Sequence, residues 1–451
     1  MSEARRANQP RGSSPREVPA LTEPRRPRAL RSSEAVLDNG LTVVAVRKPG
    51  VPLVEVRLRV PFLSAKPQHP AQAQLLAETV LTGAAGLDRS DLAAAIQELG
   101  GRLSSGVDAD RLVISGNVLA PNLRKLLGVL AKVVLEPAYD KTDVGTERER
   151  LVEKLGMARA RPTVVAAEAL AVRMFGDHPY ALDLAQPDAV AAVTPGQLRS
   201  LHRAMVRPGG AVLVLVGDVA PGRMIDVASA ALSGWTGRKP RSDVPELPTP
   251  PGGALRVIDR PGSVQSSFRM GRLAVPRTHP QFAALHLANL IFGGYFTSRW
   301  TENLREDKGY TYGPHSRLEH HVLGTTLGLS VEVQSEVTAP SLLETLYELG
   351  RLSTLPVTDK EVASVQQYAV GTLALSTSTQ SGLASTLSAL FPFGLGVDWI
   401  STFPQLLRAA TVDDVSAAAA RFFAPSGFTS LVVGDATTIT AGLATLVPIE
   451  S

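Results

Sequence analysis

Hydrophobic and polar positions along the chain change their period repeatedly, and the changes predict a mixture of strands and helices. Two β-branched runs around a turn at 41–61 predict two strands, and "DRLVISGNVL" at 110–119 predicts another. The stretch "DLAAAIQELGG" at 91–101 is typical of an amphipathic helix stopped by glycine, and 120–139 of a helix that ends before a proline. Strands and helices mixed in this way predict an α+β fold with an antiparallel sheet packed by helices.

The chain also repeats itself at long range. The segment "TPGQLRSLHRAMVRPGGAVLVLVGDV" begins at Thr194, and "TVDDVSAAAARFFAPSGFTSLVVGDA" begins at Thr411, with Thr, Pro, Gly and Asp recurring in register. Earlier in each half, "HPAQAQLLAETVL" at His69 is echoed by "HPQFAALHLANLI" at His279. A repeat of this length indicates a duplicated domain rather than a solenoid.

The repeat predicts two homologous domains of about 200 residues, which is the size of ordinary folding units. We place the N-terminal domain at 34–235 and the C-terminal domain at 254–451. Between them, 236–253 is rich in proline, glycine and charge, as is typical of an exposed linker.

The positive charge of the chain is confined to its first residues. Residues 1–33 hold eight arginines and three glutamates, a net of +5, whereas the whole chain is +4, which leaves 38 basic and 39 acidic residues in the body. A segment so rich in Arg, Pro and Ser cannot bury enough apolar surface to fold, so we predict a disordered tail. The body has no basic excess with which to bind phosphate backbones, so no nucleic-acid partner is expected.

Composition narrows the location of the protein. No apolar run reaches the roughly 20 residues that a membrane helix needs, and the N-terminus has no apolar signal-peptide core. The chain has no cysteine, which excludes disulfides and thiolate metal sites. We therefore expect a cytoplasmic protein without a membrane partner.

Several segments carry a family resemblance through their order and spacing. They are "LDNGLTVV" at 37–44, "GDHPYALDLAQPDAV" at 176–190, "VIDRPGSVQSSFRMG" at 257–271, "FTSRWTENLREDKGYTYG" at 296–313, and the two "VGD" strands. Together they resemble the insulinase and mitochondrial-processing-peptidase family of pitrilysin-type zinc peptidases, the inverzincins. The resemblance implies that the two domains form half of a clamshell.

The family's His-x-x-Glu-His helix falls on "QLLAE" in this chain. The resemblance places Gln74 and Glu78 at the two histidine positions, Ala77 at the general base, and Lys154 at the third ligand. A catalytic zinc takes three protein ligands from His, carboxylate or thiolate, and an ammonium repels the ion. The resemblance therefore implies a degenerate zinc site, with no metal in this chain.

Other metal sites remain as alternatives. A harder cation such as Mg²⁺ could use Glu78, Glu147 and Glu153, of which Glu147 matches a supporting acidic position of the family.

A second candidate set is His315, Glu319, His320 and His321. If this segment is a strand, the two adjacent histidines point to opposite faces, so only one could join a site. We interpret His178, which precedes a proline, as structural.

The second half keeps a different part of the family signature. The family carries an arginine and a tyrosine seven residues apart, and the matching positions here are Arg305 and Tyr312. The resemblance implies that Arg305 lies near the end of a helix terminated by Gly309, that Tyr312 lies on the following strand, and that both grip the substrate backbone and stabilise an oxyanion. The plainer interpretation is a surface ion pair for Arg305 and a core position for Tyr312.

These features predict a non-catalytic subunit of a heterodimeric, processing-type peptidase. A paralogous partner with His-x-x-Glu-His would hold the zinc, and Arg305 and Tyr312 would act in trans on a peptide added to a sheet edge. One alternative is a non-enzymatic scaffold built on the same fold, which would need neither residue. Another is a self-sufficient hydrolase, for which we find no Gly-x-Ser-x-Gly elbow.

Overall fold

The computed structural model describes residues 29–182, 184–241 and 243–450. Two six-stranded sheets, one from each half of the chain, carry helices on both faces. Within the described ranges, no helix combines the length and the apolar character needed to cross a lipid bilayer. The two-domain α+β fold predicted from the sequence is confirmed.

The N-terminal half supplies six strands and eight helices. The strands are β1 (Arg31–Val36), β2 (Thr42–Arg47), β3 (Leu53–Pro61), β4 (Arg102–Val107), β5 (Arg111–Leu119) and β6 (Val212–Gly217). The helices are α1 (His69–Thr79), α2 (Arg89–Gln97), α3 (Leu123–Leu135), α4 (Lys141–Arg159), α5 (Pro162–Phe175), α6 (Pro187–Ala191), α7 (Pro195–Met205) and α8 (Pro221–Leu232).

The C-terminal half supplies the other sheet. Its strands are β7 (Leu255–Asp259), β8 (Gln265–Ala274), β9 (His315–His321), β10 (Gly324–Gln334), β11 (Thr429–Gly434) and β12 (Ile449–Glu450). Its helices are α9 (Phe282–Asn289), α10 (Arg299–Thr301), α11 (Thr338–Thr354), α12 (Asp359–Ser376), α13 (Gln380–Leu390), α14 (Trp399–Ala409), α15 (Val412–Phe422) and α16 (Ala436–Ala444). Two π-helical turns, Leu290–Gly294 and Glu302–Asp307, continue α9 and α10.

The two sheets repeat one topology. Their strand orders are β1-β2-β6-β3-β5-β4 and β12-β7-β11-β8-β10-β9. The helices that precede β6 and β11 begin with the same capping box, at Thr194 and Thr411, in which the threonine and the residue three positions later satisfy each other's backbone amides. The recurring Thr, Pro and Val-Gly-Asp positions are therefore the cap, turn and strand of one repeated unit.

Two details differ from the prediction. The sheets are mixed rather than purely antiparallel, because β2 runs parallel to β6, and β7 runs parallel to β11 and β12. The helices between these strands return the chain to the same end of the sheet, which is what a parallel pair requires. In addition, residues 31–33, which composition assigns to the tail, open β1 and pair with β2. Residues 1–28 of the predicted tail lie outside the described residues.

Each sheet has its main core on one face. In β3, every second residue, from Val54 to Val60, lies in the N-terminal core, beneath α1, α3 and α8. In β8, Phe268 and Met270 lie in the corresponding C-terminal core. The intervening residues of both strands are also buried, so the opposite face of each sheet must be covered as well.

The cover on the second face comes from the other half of the chain. Helix α13 of the C-terminal half packs on β3 and β6, where Leu383 and Leu387 contact the side chains of Val44 and Val214. Helix α5 of the N-terminal half packs on β8 and β11 of the other sheet. These helices occupy equivalent places in the repeat, each two helices before the capping-box helix, so the exchange is reciprocal.

Gly271 of β8 allows the close approach of α5. A Cβ atom at this position would stand 2.4 Å from Sδ of Met174 and 3.2 Å from Leu170. A side chain there would force the side chains of Met174 and Leu170 to move, because packed interiors have little room for an added methyl group.

The exchange predicts that the two halves depend on each other for stability. Leu387 of α13 is fully buried against the N-terminal sheet, so Leu387→Ala should lower the free energy of unfolding by about 2–5 kcal/mol. Urea denaturation followed by far-ultraviolet circular dichroism measures the change. Leu406→Ala, at an exposed position of α14, should stay within about 0.5 kcal/mol. Equal stability of the two variants would show that the halves are held by other contacts.

Candidate functional site

Helix α1 carries three of the positions that the resemblance assigns to the zinc site. Pro70 stands in its first turn, where a missing N–H costs nothing. Gln74 accepts a hydrogen bond from the Ala185 amide (3.3 Å) through Oε1. Ala77 is buried, and its carbonyl accepts a hydrogen bond from the Ser105 hydroxyl of β4. The methyl side chain of Ala77 cannot polarise a water molecule.

The third position comes from α4 and closes the site with an ion pair. Lys154 Nζ lies 3.3 Å from Glu78 Oε1, so the structure brings together two positions that are 76 residues apart. Both side chains are substantially exposed, so the pair adds little stability. An amide, a paired carboxylate and an ammonium do not fit Zn²⁺, since the positive charge of Lys154, beside Glu78, would repel the ion.

The structure does not assemble the alternative carboxylate site. Glu147 is buried and accepts hydrogen bonds from Arg89 and Arg150 (3.1 Å for the latter), while Glu153 is exposed and Glu78 is paired with Lys154. Within the described ranges, no group of three or more His, Asp or Glu residues could hold a metal ion.

His320 and His321 lie on β9, and their side chains point to opposite faces of the strand, as the alternation predicts. His320 Nδ1 lies 3.1 Å from the Thr325 hydroxyl, and its ring packs edge-on against Phe282. Burial, reinforced by Arg277, lowers the pKa of His320 to about 3. His321 faces the N-terminal half instead, and Glu319 is paired with Arg317.

His321 belongs to a polar cluster between the two halves that the sequence did not reveal. Asp110, at the β4–β5 turn, accepts hydrogen bonds from the Tyr180 hydroxyl (2.6 Å) and the Val322 amide (3.0 Å). The Leu323 amide donates to the Tyr180 hydroxyl (3.2 Å), and His321 Nδ1 lies 3.7 Å from Asp110 Oδ2. The cluster fixes the β9–β10 turn to the N-terminal half. In the sequence, "DAD" reads as an ordinary turn.

Charge stabilises this cluster. Burial opposes ionisation of Asp110, but the nearby His321 imidazole and hydrogen bonds from Tyr180 and the Val322 amide hold the pKa of the carboxyl below its usual value. Burial likewise opposes the charged form of His321, but Asp110, with smaller effects from Glu319 and Asp108, raises the pKa of its imidazole. His178 caps the turn of Tyr180 through Nδ1 (3.1 Å), which fits the structural role expected for it.

The partly buried Arg305 and the exposed Tyr312 form the C-terminal part of the candidate site. Arg305 lies in the π-helical turn Glu302–Asp307, and the left-handed backbone of Gly309 (φ +64°) then reverses the chain. The Arg305 guanidinium lies 4.0 Å from the centroid of the Phe296 ring and 5.3 Å from that of Tyr312. It also pairs with Glu306 (3.2 Å). Single π-helical turns are frequent at functional sites.

The prediction for the backbone of Tyr312 is wrong. Tyr312 lies in the loop before β9 rather than on the strand, because β9 begins at His315. Its side chain is 89% exposed, so it does not fill the core either. The loop is anchored beside it, where the Thr311 hydroxyl donates to the Glu332 carbonyl of β10 (2.6 Å).

Buried neighbours that contact α11 support the π-helical turn that carries Arg305. Its neighbours Trp300 and Leu304 are fully buried, and the Trp300 indole donates to the Thr345 hydroxyl of α11 (3.0 Å). The Asn303 amide donates to Glu344 and Glu348 of the same helix (3.0 and 3.1 Å). The pair is therefore held in place by buried neighbours, as a binding site requires.

Models of one peptidase family match most of the chain. Residues 44–188 match the model described as insulinase (peptidase family M16), and residues 192–368 match the model described as the peptidase M16 inactive domain. The two matches are consecutive and together cover more than half of the chain. The chain belongs to the insulinase (M16) family. It is an M16 member without the His-x-x-Glu-His motif.

Individual relatives agree with this assignment. The "uncharacterized zinc protease ML0855" of Mycobacterium leprae is 25% identical over 51% of the chain and 52% of its own length, so the chain spans about half of that M16 relative. The "uncharacterized zinc protease YmxG" of Bacillus subtilis is 21% identical over 75% of the chain and 82% of its length.

A solved structure shares the fold. The crystal structure of a peptidase M16 inactive domain from Pseudomonas fluorescens is 22% identical, with a TM-score of 0.83 over 90% of this chain and 98% of that one.

The proximity of Glu78 and Lys154 predicts that a zinc site can be rebuilt in this M16 chain. The triple variant Gln74→His/Glu78→His/Lys154→Glu should bind one Zn²⁺, because it supplies two histidines one helical turn apart and a carboxylate beside them. Native mass spectrometry measures the bound metal. The double variant Gln74→His/Glu78→His, which keeps Lys154, is the control. It should bind zinc at least about tenfold more weakly than the triple variant. Absence of zinc from a folded triple variant would show that the three positions do not converge.

The Asp110–His321 pair predicts a pH-dependent stability. Because the pKa of His321 is raised in the folded protein, its contribution to stability is fully present below the unfolded pKa of about 6.5. That contribution is lost as the pH rises through the folded pKa. The lowered pKa of Asp110 means that its contribution is present above about 3.9 and is lost as the pH falls through its folded value. The pair should therefore stabilise most between about pH 4 and 6.5.

Urea denaturation of the wild type and of His321→Gln from pH 6 to 9 measures this dependence. The difference in unfolding free energy should shrink as the pH rises. Leu406→Ala, which removes no titratable group at an exposed position, serves as the control and should show a constant difference. A constant difference for His321→Gln as well would mean that the imidazole is not charged in the folded protein.

Proposed function

We propose that this chain is the zinc-less subunit of a heterodimeric M16 peptidase. A paralogous subunit with His-x-x-Glu-His supplies the metal and the general base. Arg305 and Tyr312 of this chain bind the peptide backbone and stabilise the oxyanion formed at the partner's zinc. The chain has no activity of its own in this scheme.

The observation that carries the proposal is the contact between the partly buried Arg305 guanidinium and the exposed Tyr312 ring. A tyrosine that is 89% exposed, stacked with an arginine on a buttressed π-helical turn, is not explained by packing. Both side chains can donate hydrogen bonds, and fixed donors directed at a developing oxyanion accelerate acyl transfer by about 10² to 10³ each. The pair is therefore available to a second protein.

The state of the first half supports action in trans. The zinc positions of this chain are occupied by the Glu78–Lys154 ion pair and by buried Ala77. A hydrolytic zinc site needs three suitable ligands and a base, so the metal must come from elsewhere if Arg305 and Tyr312 serve hydrolysis.

Sheet edges offer a place for the peptide. Strand β4 ends the N-terminal sheet and β9 ends the C-terminal sheet, and α1 packs beside β4. An extended peptide that adds to such an edge gains affinity from backbone hydrogen bonds, with little dependence on its sequence. The proposed substrates are therefore extended peptides or unfolded segments.

Co-expression with a His-x-x-Glu-His paralogue tests the proposal. Native mass spectrometry should find a one-to-one complex with a single zinc, and the complex should cleave a quenched-fluorescence peptide library. Arg305→Ala should lower kcat/KM of the complex by at least about tenfold without changing its assembly. Tyr312→Phe, which removes one hydroxyl, should act in the same direction.

Matched controls separate this role from a general surface effect. Arg203→Ala and Tyr347→Phe remove the same groups at exposed positions and should leave turnover unchanged. If Arg305→Ala assembles normally and turns over at the wild-type rate, the role in trans is wrong and a scaffold function takes its place.

A further inference from the structure

A cavity of about 600 Å³ lies between the two halves, away from the Arg305–Tyr312 site. The N-terminal sheet, the linker, the β9–β10 turn and the segment after α13 all contribute to its wall. Its lining includes Arg59, Leu63, Lys239, Arg241, Leu323 and Phe391. The volume is in the range of small-molecule sites.

Arg59 is the unusual member of this wall. It is 96% buried, since only 4% of its surface is exposed. Its Nη1 donates to the Ser388 carbonyl at the end of α13 (2.7 Å). Its Nη2 is buried without a hydrogen-bond partner among the residues that the structure describes. A buried guanidinium normally has its donors satisfied, because an unmet charged donor costs several kcal/mol.

The neighbouring Arg57 shows what a satisfied arginine looks like on the same strand. It forms an ion pair with Glu55 (2.9 Å) and donates to the Ser381 and Ser385 hydroxyls of α13 (2.9 and 3.3 Å). Arg59 has no ion pair within the described ranges. The strand therefore places two arginines under one helix but supplies a counter-ion for only one of them.

The charge of the cavity is positive overall. Arg111, Lys239 and Arg241 join Arg59, against the carboxylates of Glu34 and Asp110. Asp110 is already engaged by Tyr180 and the Val322 amide, and Arg111 pairs with Asp108 (2.8 Å). Lys239 and Arg241 belong to the linker and are exposed.

Burial, with a smaller effect from Arg111, lowers the pKa of Arg59 to about 9, although the nearby carboxylates of Asp108 and Asp110 oppose the shift. The guanidinium is nevertheless still protonated at neutral pH. Proline, leucine and phenylalanine side chains form the remaining wall, which suits an apolar group.

We propose that this cavity binds a small organic anion, whose phosphate or carboxylate group pairs with Arg59 and whose apolar body lies against Leu63, Leu323 and Phe391. Arginine is suited to such groups because its charge-assisted hydrogen bonds to phosphate and carboxylate are short and strong. The ligand would contact both halves and the linker at once, so its binding would hold the halves together. This inference is independent of the proposed peptidase role.

Isothermal titration of the full chain with three probes tests the proposal. Inorganic phosphate supplies the charged group alone, whereas phenyl phosphate and benzoate add an apolar body to a phosphate or a carboxylate. We expect one phenyl phosphate or one benzoate to bind per chain, at least tenfold more tightly than inorganic phosphate. The tighter of the two identifies the charged group. Failure of all three probes to bind, or binding of inorganic phosphate as tight as that of the aromatic anions, would overturn the proposal.

Variants locate the bound anion. Arg59→Met keeps a similar apolar length and should weaken binding of the better probe at least tenfold. The double variant Lys239→Gln/Arg241→Gln changes two exposed linker residues of the cavity and leaves the core intact. It therefore tests the site even if Arg59→Met does not fold. It should weaken binding severalfold and reduce its salt dependence. Arg223→Gln, at an exposed position of α8, removes one positive charge outside the cavity and should bind the probe like the wild type. Equal binding by wild type and the linker variant would place the anion elsewhere.

Discussion

The two sheets of this protein depend on each other because each needs a helix from the other half to cover its second face. The inter-half face of β3 carries Glu55, Arg57 and Arg59, all of them nearly inaccessible beneath α13. On the other sheet, α5 fits against β8 through the absence of a side chain at Gly271. Without these helices, apolar side chains on the second faces, among them Val44 and Val214, would be exposed to water. The reciprocal exchange therefore links the stability of each half to correct folding of the other.

That exchange also determines where chemistry can occur. The zinc positions lie on α1 and α4 of the N-terminal half, whereas Arg305 lies on a π-helical turn of the C-terminal half. The N-terminal half carries the Glu78–Lys154 ion pair, and the C-terminal half presents the partly buried Arg305 beside the exposed ring of Tyr312. Each of these two sites is built from residues of one half.

Much of the fold and part of the candidate site could be read from the sequence. The repeat of Thr194 at Thr411 reflects a helix cap, which is a local interaction between residues three positions apart and so leaves a clear local pattern. The position of Tyr312 was predicted poorly, because the length of the loop after Gly309 depends on how Thr311 is anchored to β10. The Asp110–Tyr180–His321 cluster left no pattern at all, since its members come from three distant segments.

The alternation in "LVEVRLRV" shows which features the sequence determined and which only the tertiary structure decided. The sequence by itself determined that β3 is a strand with one apolar and one charged face, because side chains on a strand alternate with a period of two. Only the tertiary structure decided that the charged face is buried, because α13 arrives from more than 300 residues away to cover it. It also decided which charges are neutralised, pairing Arg57 with Glu55 and leaving Arg59 at a cavity between the halves. Burial depends on contacts that no local pattern records.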